Sequence, residues 1–261
     1  MNLNSAVCIV TGAAVGVGAA CAVQLAKKGA RVVINYSKSE QEARATQTEC
    51  HAAGGEAILV QGDVAQDTDC KRVVQAALDK WGHIDGLINN AAITKFVDQR
   101  DLDGIDADDF QHLYAVNVIG PYQMTRAAAP ALQKQGGSVV MISSMSGITG
   151  VGSSNAYVAS KGALNTMTLA LARALAPKVR VNAVCPGLIE TRWHTARFQN
   201  RDDYEKFRDK YAENVALGRA CSADDVAAVA VWLVEQGDMI TGEMIKVDGG
   251  QHLGPAWRQR P

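Results

Sequence analysis

Tyr157 and Lys161 stand four residues apart in Tyr157-Val158-Ala159-Ser160-Lys161, and Ser144 lies thirteen residues before the tyrosine. Residues four apart on a helix share a face, so a helix here aims phenol and ammonium the same way. A free tyrosine titrates near pH 10, and a neighbouring positive charge lowers that value. A proton donor works best when its pKa lies near the working pH. The set therefore reads as a proton donor, a cation that acidifies it, and a hydroxyl that holds a substrate oxygen. No other tyrosine in the chain is followed by a lysine four residues on. On its own the pattern also fits a solvated helix face, and its surroundings must decide.

A second signal lies at the N-terminus. Ala6-Val7-Cys8-Ile9-Val10 is a continuous apolar run that reads as a buried strand. Thr11-Gly12-Ala13-Ala14-Val15-Gly16-Val17-Gly18 follows, and then Ala19 to Lys28 carries Ala22, Val23, Leu25 and Ala26 at helical spacing. Strand, glycine turn and helix form the context of a dinucleotide fingerprint. The glycines let the backbone approach a pyrophosphate, and the helix start offers free N–H groups and a positive dipole end. The spacing here is GxxxGxG rather than GxGxxG.

The elements that must position these residues alternate along the chain. Strands are predicted at Arg31–Asn35, Ala57–Gln61, Gly86–Asn89, Ser138–Ser143, Val179–Val184 and Met244–Val247. Helices are predicted at Ser39–Ala53, Asp67–Trp81, Tyr157–Ala176 and from Ser222 to Glu235, with Ser222-Ala223-Asp224-Asp225 resembling a capping box. Another long helix starts after Asp106, which can cap it, and crosses Asn117. Such alternation predicts an α/β fold: one domain over 1–261, a doubly wound parallel sheet with helices on both faces. Ligands of such sheets bind at the carboxyl ends of the strands.

Composition narrows the function. Lysine and arginine number 26 against 27 acids, and no basic run exceeds two residues, so nucleic acid is not an expected partner. No run of 18 apolar residues is present, so no membrane span is expected. The first strand begins so near Met1 that no signal peptide is expected, which points to the cytoplasm. The six cysteines form no CxxC and read as reduced thiols, some filling the core. The five histidines show no HxxxH or HExxH spacing, so no metal site is predicted.

TGxxxGxG, Asn89-Asn90-Ala91-Ala92, Asn117, Ser144, Tyr157 with Lys161, and Pro186-Gly187 with Thr191 occur in an order and spacing that resemble the short-chain dehydrogenase/reductase family. The likeness runs from Val7 to Gly250. It implies a Rossmann-type sheet of seven strands and hydride transfer between a nicotinamide and a carbonyl or secondary alcohol. By resemblance, Tyr157 trades the proton, Lys161 acidifies it and bonds the nicotinamide ribose, and Ser144 binds the developing alkoxide. Ser143 competes with Ser144, and the thirteen-residue separation selects Ser144. Asn117 resembles the fourth member, which kinks a helix and helps hold a water in a relay to Lys161. The turn Gly12, Val15, Gly16, Val17 and Gly18 would take the pyrophosphate, Asp63 and Val64 the adenine, and Asn90, Ala91 and Ala92 the adenine ribose. Ala92 stands where the family more often has glycine. Pro186, Gly187 and Ile189 would seat the carboxamide, and Thr191 would lie near the phosphates.

The end of the second strand bears on the nucleotide. Members that prefer NAD tend to place an acid where Tyr36 stands. Ser37 and Lys38 follow and suit a phosphate, which favours NADP(H), with NAD(H) the alternative. Against this, many NADP members carry Arg or Lys just before the second glycine, where Val15 stands. Residues of about 190–217 correspond to the family's substrate lid, and Trp193 and His194 either contact substrate there or pack the lid onto the body. The chain is most like the 3-oxoacyl-[acyl-carrier-protein] reductase group, although it has only Lys134 as a basic residue just before the fifth strand. The alternatives are a sugar, polyol or other secondary-alcohol dehydrogenase, and a non-catalytic dinucleotide sensor. A homotetramer or homodimer is the family's usual state. The tail Gly254-Pro255-Ala256-Trp257-Arg258 either crosses an interface or frays.

Overall fold

The computed structural model describes residues 1–195, 198 and 200–255. Seven strands form one parallel sheet: β1 (Val7–Val10), β2 (Arg31–Tyr36), β3 (Glu56–Gln61), β4 (Gly86–Asn89), β5 (Ser138–Ile142), β6 (Arg180–Pro186) and β7 (Met244–Val247), ordered β3-β2-β1-β4-β5-β6-β7. Every pairing is parallel. The strand order reverses between β1 and β4, and their carboxyl ends open the crevice where such sheets take ligands.

The sheet's central strands are buried on both faces, which explains their near-continuous runs of valine and isoleucine. One face is covered by α1 (Gly16–Lys27), α2 (Glu40–Ala52) and α10 (Ala223–Glu235), with α1 packed on α10. The other is covered by α3 (Asp67–Trp81), α5 (Gly120–Gln135) and α7 (Asn155–Leu175). Between the end of α3's face and α5 lie α4 (Ala107–Tyr114) and a π-helical segment, Ala115–Ile119. A short α6 (Ser146–Thr149) follows β5, and α8 (Arg192–Thr195) and α9 (Arg201–Ala212) precede α10.

The long helix expected to cross Asn117 is present as α4, a π segment and α5 in direct succession, with Asn117 inside the π segment. Its start is as predicted: Asp106 accepts from the Asp109 N–H, and the Asp109 side chain accepts from the Asp106 N–H. Ser222 and Asp225 close the other capping box. Two helices begin earlier than their apolar spacing suggested. α1 starts at Gly16, because glycines that blur the hydrophobic pattern are nonetheless helical, and α7 starts at Asn155 behind the Ser154 cap. Strand β2 reaches Tyr36 and β6 reaches Pro186, each held by parallel neighbours. All six cysteines are free and buried. No helix among the described residues is long and apolar enough to cross a membrane.

Candidate active site

Two sets of residues meet at the carboxyl ends of the strands. The first is the glycine turn after β1. Gly12 and Gly16 both adopt left-handed backbone, φ +60° and +61°, which glycine supplies without strain. A methyl on Gly12 would lie 2.8 Å from Ala91 Cα, so this turn packs directly on the chain leaving β4. A methyl on Gly18 would lie 2.5 Å from both Asn90 Nδ2 and the Gly12 carbonyl oxygen. Asn90 clamps the turn, its Nδ2 donating to the Thr11 and Gly12 carbonyls at 2.9 and 3.0 Å. Thr11 Oγ1 in turn accepts from the N–H groups of Asn90 and Ala91.

Helix α1 begins at this turn with no side-chain cap and no acid in its first turn. Its leading N–H groups are therefore available to an anion, and its dipole favours one. Across the gap, a methyl on Gly16 would approach only Thr191, at 3.6 Å from Cγ2. The resulting cradle, bare of side chains beside an uncapped helix start, fits a dinucleotide's pyrophosphate. Gly12, Val15, Gly16, Val17, Gly18, Asn90, Ala91 and Thr191 are all at this crevice.

Tyr36 ends β2 beside it, and Ser37 and Lys38 follow. The Tyr36 ring is packed into the core, at 8% exposure, whereas Ser37 and Lys38 are exposed. Asp63 is exposed at the end of β3, and Val64 is buried against Gly120. Asn89 and Asn90, adjacent in sequence, part company. Asn89 points into the core and donates to Thr125 Oγ1 at 3.1 Å. Asn35 was not singled out from the sequence, yet it joins three strand ends. Its side chain donates to the Val60 and Gly62 carbonyls, and its backbone carbonyl accepts from the Ala13 N–H at 2.8 Å. An asparagine at the inner end of a valine-rich strand was the available signal.

The second set surrounds Tyr157. Ser154 caps α7 by accepting from the Tyr157 N–H, which puts the tyrosine in the first turn and Lys161 in the second. Lys161 is 2% exposed, and its Nζ lies 5.7 Å from the Tyr157 ring centroid and donates to the Ile142 carbonyl at 2.9 Å. Ser144, half-buried just beyond β5, accepts from the Ser146 N–H at 3.1 Å and lies near enough to the Tyr157 phenol to favour its ionised form. Ser143 faces away, donating to Asn165 Oδ1 at 2.6 Å. So Ser144, Tyr157 and Lys161 are brought together and Ser143 is not.

Charge in this group differs from the sequence expectation. Burial pushes the Tyr157 phenol up to about 12, against a smaller lowering by the nearby Ser144 hydroxyl. Burial pushes Lys161 down to about 8. The shared helix face brings the ammonium near the ring, but the contact that lowers the phenol here is Ser144 rather than Lys161. The lysine's hydrogen bond is spent on Ile142.

Asn117 is fully buried in the π segment. Its Oδ1 accepts from the Ile93 N–H at 2.9 Å, and its Nδ2 donates to the Ile93 carbonyl and to Ser160 Oγ at 3.0 and 3.1 Å. It thereby ties the chain after β4 to the α7 turn between Tyr157 and Lys161. A π segment is frequent at functional sites.

The loop Pro186-Gly187 is fixed from three sides. Met145 donates to the Pro186 carbonyl, Gly187 donates to the Val247 carbonyl, and the Leu188 N–H donates to Tyr211 Oη of α9 at 3.0 Å. Ile189 bridges to Cys221. Trp193, half-buried in α8, places its ring centroid 6.4 Å from that of Tyr157 at 56°. The side chain of His194 and the tail residues Ala256, Trp257 and Arg258 lie outside the described residues. A cavity of about 530 Å³ lies between the chain after β4 and the chain leading into α7, lined by Phe96, Val97, Asp98, Gln99, Arg100, Gly152 and Ser153. No cluster of three metal-ligating side chains occurs among the described residues.

The family model described as Enoyl-(Acyl carrier protein) reductase matches residues 12–252. This chain belongs to the short-chain dehydrogenase/reductase family. Its similarity to a Streptomyces violaceoruber protein, "Granaticin polyketide synthase putative ketoacyl reductase 2", is 38% identity over 95% of this chain and 96% of the relative. An "Uncharacterized oxidoreductase" of Methylorubrum extorquens is 38% identical over 95% of this chain and 98% of its own. A solved structure, "a putative short-chain dehydrogenase/reductase from Burkholderia xenovorans", superposes with TM-score 0.89 at 37% identity, covering 96% of this chain and 99% of that one. As a short-chain dehydrogenase/reductase, the protein is an oxidoreductase of the CH–OH/carbonyl class that works with a nicotinamide dinucleotide.

Proposed function

We propose that this short-chain dehydrogenase/reductase is an NADP(H)-dependent carbonyl reductase whose substrate is a 3-oxoacyl thioester or a related ketone. The observation that carries the reductase reading is the placing of the buried Lys161 ammonium 5.7 Å from the Tyr157 ring, with Ser144 beside them just beyond β5. The bound dinucleotide supplies hydride. Tyr157 Oη holds the proton that a carbonyl oxygen gains in reduction, and receives it in oxidation. Ser144 Oγ shares the substrate oxygen and stabilises the charge that develops on it. Lys161 keeps a cation in the pocket, and its ammonium is the group placed to bond a nicotinamide ribose. Asn117 sets the π turn and, by analogy with the family, a water path to Lys161. Pro186, Gly187 and Ile189 provide the carboxamide wall, and residues 190–217 form the lid, with Trp193 over the tyrosine.

The preference for NADP(H) is supported by Ser37 and Lys38, exposed where β2 ends without an acid. Support for the acyl substrate comes from the ketoacyl reductase name of the Streptomyces relative. A second reading is a polyol or sugar dehydrogenase, the family reaction run on a secondary alcohol. Titration with NADPH and NADH, followed by a panel of 3-oxoacyl thioesters, ketones and polyols, separates them. Tighter NADPH binding and turnover of the thioester supports the first reading; turnover of polyols alone supports the second. Dinucleotide binding without turnover of any compound would point to the sensor.

We also propose a cytoplasmic homo-oligomer. Six buried free thiols suit a reducing compartment. The long helices leave Ile119, Tyr122 and Leu169 exposed at 48, 43 and 47%, which suits a partner surface.

A further inference from the structure

The corner beside the end of β2 holds a cation that the sequence places more than 150 residues away. Arg192, the first residue of α8, reaches across the crevice to α2. Its Nη1 donates to Glu42 Oε1 at 2.8 Å, and its Nη2 donates to Ser39 Oγ at 3.3 Å. Ser39 is the residue before α2 and makes no capping hydrogen bond, so its hydroxyl faces the guanidinium rather than its own helix. The preceding Thr191 stands over Gly16, and Thr46 Oγ1 of α2 donates to the Ala14 carbonyl at 3.1 Å. The glycine turn, the start of α2 and Thr191-Arg192 therefore border one corner. Ser37, Lys38 and Ser39 lead into it from β2.

A ribose 2′ substituent of a dinucleotide lies by the end of the second strand, and an arginine there accommodates a 2′-phosphate. Arg44, the nearest arginine in sequence, is taken by Glu40 at 2.6 Å on the same helix. Lys38 makes no ion pair among the described residues. Val15 brings no charge to the turn. Arg192 is the guanidinium already directed at this corner from its far side, and Glu42 Oε1 and Ser39 Oγ are hydrogen-bond acceptors that an anionic oxygen could replace. A planar guanidinium binds phosphate through two parallel N–H groups, which a lysine cannot do.

Resting on the NADP(H) reading above, we propose that Arg192 is a specificity-determining residue, the second cation of a 2′-phosphate subsite formed with Ser37, Lys38 and Ser39. Glu42 is its resident counter-ion and competes with the phosphate for it. The arrangement also makes selection of the nucleotide depend on the first turn of α8: the phosphate draws Arg192 to the adenosine end, while the next residue, Trp193, lies against Tyr157.

The test is fluorescence titration of the full chain with NADPH and NADH, and competition by adenosine 2′,5′-bisphosphate, for wild type, Arg192→Ala, Arg192→Lys and Glu42→Gln. Thermal melts check that each is folded; both side chains are substantially exposed, at 56 and 42%. Arg192→Ala should weaken NADPH at least about tenfold while leaving NADH within about twofold, since a charged hydrogen-bond pair is lost for one ligand only. Arg192→Lys should fall between, and Glu42→Gln should tighten NADPH and the bisphosphate. Wild type that prefers NADH overturns both this inference and the reading beneath it. Wild type that prefers NADPH by a ratio Arg192→Ala does not move overturns the inference alone. So does an equal loss for both nucleotides, or a Glu42→Gln variant that loses NADH instead, which would make Glu42 a ribose-hydroxyl acceptor.

Discussion

Lys161 shows how burial shapes the chemistry of single residues here. Its ammonium is almost fully enclosed, and burial lowers it to about 8 from the ordinary lysine value. A lysine whose folded pKa is depressed costs stability below that value. The cost is relieved as pH rises from about 8 toward its unfolded value near 10.4. Lys161→Met should therefore be more stable than wild type by about 1–3 kcal/mol at pH 7 and by much less at pH 10, while losing turnover. Urea unfolding at the two pH values measures this; a variant less stable at pH 7 would show that the Ile142 hydrogen bond outweighs desolvation. At this scale the sequence was readable where type and spacing bring side chains together, as for Ser144, Tyr157 and Lys161. It was not readable where the role depends on a distant partner. Asn35 gains its role from three strand ends, Arg192 from Glu42, and Tyr157 its raised pKa from the walls around it.

Elements are held at close quarters around α7. A methyl on Gly147 would fall 2.5 Å from the Lys161 carbonyl carbon and 2.7 Å from Gly162 N. Helix α6 thus presses backbone to backbone on the turn that carries Lys161. Gly147→Ala must push α7 away, at a cost of about 1–3 kcal/mol, and even a small shift of the catalytic groups should lower kcat about 10²-fold. Steady-state kinetics and thermal melts on the purified variant check both, and wild-type kcat would mean that α6 yields instead. None of α6, α8 and α9 was expected from hydrophobic spacing. Each of α6 and α8 is a single turn, too short to show a period, and α9 is mostly charged. The strands and the longer helices were legible because valine and isoleucine runs and capping boxes mark them locally. The π segment was not, since an extra residue in a turn leaves no mark in the 3.6-residue pattern.

The whole molecule divides its labour across the sheet. On the proposed reading, the β1–β2–β3 side and its helix starts take the dinucleotide, and the chain just after β5 together with α7 carries the reacting side chains. The parallel order was inferred from strand and helix alternation, whereas the proposed association of copies is argued from an exposed apolar surface. Sedimentation should give a particle larger than the 27.7 kDa chain, and Leu169→Glu should reduce its size; a monomeric wild type would refute the oligomer. If binding and chemistry sit on opposite sides of the β1–β4 crevice as proposed, they should be separable by one atom. The most direct measurement is Tyr157→Phe, with dinucleotide affinity and single-turnover ketone reduction read on the same preparation. The expected result is an affinity within about twofold of wild type and a rate lowered by about 10²–10⁴-fold. A variant that binds the dinucleotide normally and still reduces ketone at the wild-type rate would contradict the assignment of Tyr157 as the proton donor.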